Sequence, residues 1–131
     1  MKNKLTIKQS AKLIERGIQK EQATEVHVEY DKNIKPIIHP IFTLTDLLII
    51  IPKIIKDNKG IDYTLSLDFV YAKDNSMNTY WAAAYNYWSS ESTLTLVFKK
   101  DSELIDVLSN LLLWTIDNGC FRVEKLRNKR K

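Results

Sequence analysis

Few residues in this chain could do chemistry: two histidines, one cysteine and the carboxylates near them. His27 stands between Glu25 and Glu29, and in a strand all three share a face, because alternate residues point the same way. That is a mixed nitrogen and oxygen set of the kind a metal uses. The competing reading is a solvated strand face carrying polar side chains, and it is the one favoured here. His39 lies beside Pro40 with no carboxylate close in sequence, which suits a structural or exposed role. Cys120 follows the end of an amphipathic segment, where the negative end of a helix dipole raises a thiol pKa and opposes nucleophilic use. Gly17, Gly60 and Gly119 are the only glycines, too far apart to form a phosphate loop. The sequence thus names no catalytic residue, metal, cofactor or small-molecule substrate.

Binding surfaces offer more. Tyr80-Trp81-Ala82-Ala83-Ala84-Tyr85-Asn86-Tyr87-Trp88 reads as a strand with aromatic residues on both faces. Ala82 and Ala84 would let a helix approach closely, and that assignment leaves Trp81, Tyr85 and Tyr87 on the open face. Residues 121–131 carry Arg122, Lys125, Arg127, Lys129, Arg130 and Lys131 against Glu124, a net charge of +5 within a whole-chain +4. An open aromatic sheet with a basic tail can bind single-stranded nucleic acid by stacking and phosphate contact. A solubilising tail and a covered strand are the plainer reading of the same residues.

The elements that would position these groups follow from periodicity. Thr6-Ile7-Lys8-Gln9 has the capping-box form and opens a short helix to about Arg16. Glu25 to Tyr30 alternates as a short strand with Val26, Val28 and Tyr30 inward. Ile34 to Pro40 reads as irregular, because Pro36 and Pro40 disfavour helix. Thr43 or Thr45 caps an apolar helix in which Leu44, Leu47, Leu48, Ile51, Ile54 and Ile55 share a face and Pro52 breaks the run. Ile49 and Ile50 fall off that face. Ile61–Phe69, Thr79–Trp88 and Thr93–Phe98, the last with Leu94, Leu96 and Phe98 inward, form a three-stranded antiparallel meander. Ser102 caps a long helix ending at Gly119, with Leu104, Leu108, Leu111 and Leu112 on its core stripe. Leu113 projects near Asp106 and Asp117, on the polar side, and Trp114 sits on the flank. The expected fold is α+β: the meander packed on one face by the long C-terminal helix and the Pro-broken helix, with a short N-terminal helix, as one domain over 1–120 and a basic tail over 121–131. Hydrophobic residues at 44% and charged residues at 27% of 131 suit one core. No apolar run approaches the ~20 residues of a membrane span, and the lone cysteine suits a reducing, cytoplasmic setting.

Three segments resemble a group of small uncharacterised proteins encoded in phage and mobile-element regions of gut anaerobic bacteria. They are Thr6 to Ile18, Pro40 to Leu48 with Pro52, and Leu104 to Leu108 through Leu113-Trp114. The resemblance covers about a third of the chain, and Ala23-Thr24-Glu25 departs from the Thr-Ala-Asp of the group. It implies an accessory protein acting inside a bacterial cell and carries no catalytic residues. Surplus apolar side chains (Leu113, Trp114, Ile49, Ile50, Trp81, Tyr85 and Tyr87) point to a protein interface, self-association as a homodimer included.

Overall fold

The computed structural model describes residues 1–71 and 79–120. Its elements are α1 (Ile7–Glu15), a single 3₁₀ turn at Lys20–Gln22, β1 (Glu25–Tyr30), β2 (Pro36–Ile41), α2 (Leu44–Ile50), β3 (Ile54–Lys56), β4 (Asp62–Tyr71), β5 (Thr79–Trp88), β6 (Thr93–Asp101) and α3 (Leu104–Asp117). The α+β class is as expected. The sheets differ: β3-β4-β5-β6 make a four-stranded antiparallel sheet and β1-β2 a separate two-stranded ribbon.

Two expectations fail at prolines. Ile54 and Ile55 fit a helical stripe, but Pro52 holds Ile51 in extended conformation and α2 stops at Ile50. The chain then pairs Ile54, Ile55 and Lys56 with Thr64, Tyr63 and Asp62, burying Ile55 and exposing Ile54. The segment around Pro36 and Pro40 is a strand, not irregular. Asp31 N–H donates to the Lys35 carbonyl, so along the ladder the pairs Glu29–Ile37, His27–His39 and Glu25–Ile41 exchange hydrogen bonds. Pro36 and Pro40 fall at the intervening pairs, where the missing N–H would point outward.

The core lies between the four-stranded sheet and α3, with α1 and α2 beside it. Leu13, Phe42, Leu47, Ile105, Leu108, Leu111 and Leu112 are fully buried in it. The α3 N-cap is Glu103 rather than Ser102; the Ser102 hydroxyl and the Glu103 N–H both turn to Asp101. At the other end Gly119, with φ +70°, and Cys120 return N–H groups to the Ile116 and Thr115 carbonyls, a Schellman ending. The predicted capping box at Thr6 and Gln9 is formed.

A second capping box roots the ribbon. Thr43 caps α2, its hydroxyl accepting from Asp46 N–H while Asp46 accepts from Thr43 N–H. The same carboxylate accepts from the N–H and hydroxyl of Thr24. Thr24 precedes β1 and Thr43 follows β2, so one buried side chain holds both ends of the ribbon against α2. Burial pushes this carboxyl pKa up, but the Thr43 and Thr24 donors outweigh it and hold it below the usual range. A depressed folded-state pKa gives stability present above the unfolded carboxyl value, about 3.9, and lost as pH falls through the folded one. Asp46→Asn sets an NH₂ group against N–H donors and should cost about 2 kcal/mol at neutral pH. Urea melts should show that gap narrowing as pH falls below the usual carboxyl range and wild type is itself protonated; a gap independent of pH would refute the role of the charge.

Candidate interaction surface

The interface residues expected from sequence divide sharply. Tyr85, placed on the open face, is fully buried, and its hydroxyl donates to the Pro52 carbonyl at 2.6 Å. Burial pushes its phenol pKa far up, with a smaller push from Cys120. The core face of β5 is thus Trp81, Ala83 and Tyr85, the reverse of the face expected. Ala82 and Ala84 lie on the outer face, and their low exposure comes from being short and flanked by longer side chains. Trp81 packs on Phe69 with ring centres 4.8 Å apart, and Tyr87 meets the edge of buried Tyr63.

A register shift at Tyr85/Asn86 explains the error in the next strand. Tyr85 pairs with Val97 and Asn86 with Thr95, so Leu96 is the extra residue of a bulge. Leu96 and Val97 both pack toward the core, while Phe98 pairs with Ala84 on the outer face and is 51% exposed. Leu94, also expected inward, is half exposed at the sheet end.

Leu113 and Trp114 are partly buried against the core. The element that covers the Asp106–Leu113–Asp117 line is α1: Gln9 donates to Asp106 at 2.9 Å, and Arg16 pairs with Asp117. Lys2 adds a further contact to Asp106 at 2.9 Å. Ile50 is buried; Ile49, at 73% exposure, stands free of the core. Arg122, Lys125, Arg127, Lys129, Arg130 and Lys131 lie outside the described residues. Tyr85 is therefore not part of an open aromatic surface on this strand, whereas Tyr87 and Trp88 are exposed at its end.

Glu25, His27 and Glu29 do share a face, and His39 joins them from β2. His39 Nε2 lies 2.6 Å from Glu29 Oε1, a close contact without hydrogen-bond alignment. The His27 and His39 rings are 6.3 Å apart. Among the described residues no three metal-ligating side chains converge. Cys120 has its thiol pKa raised by burial first and by the Asp57 charge second, so the direction expected from sequence has a different cause.

The surface that sequence reading missed is the other face of the ribbon. Val26, Val28 and Tyr30 of β1 pair with Pro40, Ile38 and Pro36 of β2, putting six apolar side chains on one side with no charge among them. Val26 is 59% exposed, Tyr30 67% and Ile38 61%. Every residue of β1 is exposed. At the tip, Asp31 accepts from Asn33 and Lys35 N–H groups, and Ile34 is held at φ +60° with its side chain 80% exposed. A β-branched residue is costly in that conformation. At the root, Pro40 and His39 border a small groove of about 140 Å³ with Ile7, Ala11 and Ile14 of α1. No protein-family model, curated protein or solved structure matches the chain.

Leu67, Phe69 and Tyr71 of β4 form a second exposed apolar group, with Trp81 packed on Phe69; the outer sheet face is more mixed. Ile54, Phe98 and Trp88 on the outer sheet face are interleaved with Thr64, Ser66, Asp68 and Lys100. The signal for the ribbon lay in its parity: apolar residues at 26, 28 and 30 answer 36, 38 and 40 across a turn that Asp31 can cap. Tyr85→Ala should cost about 3–5 kcal/mol, and Phe98→Ala under about 1 kcal/mol. Equal and small losses in thermal or urea melts would restore the original face.

Proposed function

We propose that this chain is a non-catalytic accessory protein, of the phage or mobile-element kind that its three segments resemble, and that it works by binding protein through the β1–β2 ribbon. The observation that carries the reading is the uncharged face of Val26, Val28, Tyr30, Pro36, Ile38 and Pro40, exposed along β1 except where the N-terminal segment and α1 approach its root at Glu25, Val26 and Pro40. Leaving such a face open forgoes about 1.5–3 kcal/mol for each Val or Ile side chain that could be buried. A partner covering four of them recovers enough to offset part of the cost of association.

Charge favours protein over phosphate. Residues 25–35 carry Glu25, Glu29 and Asp31 against Lys32 and Lys35, a net −1 with histidine neutral. A phosphate backbone gains nothing from such a surface, whereas an apolar patch with a polar reverse side is a common protein-binding arrangement. Asp46 fixes the root, so the face is presented at a defined angle and less ordering is needed on binding.

A photo-crosslinking phenylalanine analogue placed at Ile38, expressed in the native host, should give protein adducts of discrete mass. The same group at exposed Asn110 on α3 should not. Equal adduct levels at the two positions, or none at Ile38, would contradict the assignment.

A further inference from the structure

The ribbon has two edges, and they are not equivalent. The hydrogen-bonded pairs of its ladder are the odd-numbered ones, so the N–H and C=O groups of Val26, Val28 and Tyr30 point out from the free edge of β1. On the free edge of β2 the corresponding positions are Pro36, Ile38 and Pro40, and two of the three outward N–H groups do not exist. The edge of β2 is therefore closed to a further strand and that of β1 is open. Among the described residues β1 pairs with β2 alone.

We infer that the open edge of β1 takes up β1 of a second copy, antiparallel and centred on Val28, giving one four-stranded sheet in the order β2-β1-β1-β2. This rests on the binding role proposed for the ribbon and gives the assembly that presents its face. Three features favour a copy of this chain over an unrelated strand. First, the register is self-complementary: Val28 opposes Val28, and Val26 opposes Tyr30 in both directions. Every outward backbone group of β1 is then satisfied, with about six hydrogen bonds across the two-fold axis. Second, His27 comes opposite Glu29 of the second copy, twice, setting an imidazole donor against a carboxylate acceptor on the polar face. Glu25 then faces Asp31 of the second copy at each end, but Asp31 is already held by the Asn33 and Lys35 N–H groups. Third, β1 runs from root to tip, so an antiparallel partner puts the two domain bodies at opposite ends of the sheet.

The pairing also relieves a weakness. An isolated two-stranded ribbon is marginal in water, and four strands with one apolar face are not. Because paired residues in one sheet point the same way, the uncharged faces of both copies lie side by side. In each copy Val26, Val28, Tyr30 and Ile38 are 41–67% exposed, and a standard interface takes about 800 Å² per partner, more than four side chains supply. The second copy thus enlarges the face used for binding to a size that can hold a protein.

Sedimentation velocity of the purified full chain over a concentration series should show a reversible dimer. Val28→Pro deletes the central outward N–H without touching the ladder to β2, and should raise the dimer dissociation constant at least ~30-fold. Val28→Thr, which keeps the N–H and the branched side chain, should still dimerise, and so should Ile38→Pro on the closed edge. Circular dichroism checks that each variant folds. A second measurement does not depend on the proline variant. In a Cys120→Ser background, Val28→Cys places thiols on Cα atoms about 5.5 Å apart across the axis, within disulfide reach. Ile38→Cys places them ~14 Å apart, three strand spacings. Mild oxidation should link the first and not the second. A monomer at every concentration overturns the inference, while Ile38 adducts to another protein would leave the binding role standing. A dimer indifferent to Val28→Pro and not linked through position 28 overturns the edge assignment.

Discussion

The carboxylate of Asp46 is the constraint on which the outer part of this molecule depends. It closes the capping box of α2 through Thr43 and reaches across to the N–H and hydroxyl of Thr24. Those residues stand immediately outside the two ribbon strands. The hydrophobic core ends at Ile41 and Phe42, and past that point little apolar burial fixes the chain direction. A charged acceptor with several donors, shielded from water, takes over what packing does elsewhere. The ribbon is therefore a projection with a rigid root and an uncovered shaft, and the two properties have separate causes.

Inside the core, α3 is gripped on two sides by different means. Its leucine stripe lies against the sheet, where Tyr85 reaches through to the Pro52 carbonyl and joins the centre of the sheet to the chain reversal after α2. Its acidic line, Asp106 to Asp117, is bridged by Lys2, Gln9 and Arg16 from the N-terminal segment. The polar bridges at the two ends of that line tie α3 to the α1 segment, and Leu113 between them is partly buried. An apolar residue on a polar helix face was here a sign of a second helix within the same chain.

Helix ends and strand positions were legible wherever local chemistry decides them: the Thr6 box, the stop at Gly119, the strands after Gly60. What was not legible depended on pairing. The period-two pattern of 79–88 fits either face equally, because alanine and aromatic residues occur on both, and only the neighbours of Tyr85 decide between them. The bulge at Leu96 adds one residue to β6 and moves Phe98 to the other side of the sheet, a change no single strand announces. Pro36 and Pro40 suggested irregular chain because proline is usually read as a breaker, when their shared parity is what an edge strand tolerates. The apolar face of the ribbon was hidden for the opposite reason. Alternation is normally taken to point inward, and here it points into water.

The prolines on β2 have one more consequence. Exposed strand edges are where chains stack without limit, each added strand offering a new edge to the next. A ribbon with one edge open and the other shut behaves as a terminator: whatever joins it at β1 finds no second acceptor beyond β2. Growth by strand addition stops after a single event, so an apolar hairpin that would otherwise seed a fibre is limited to a finite complex.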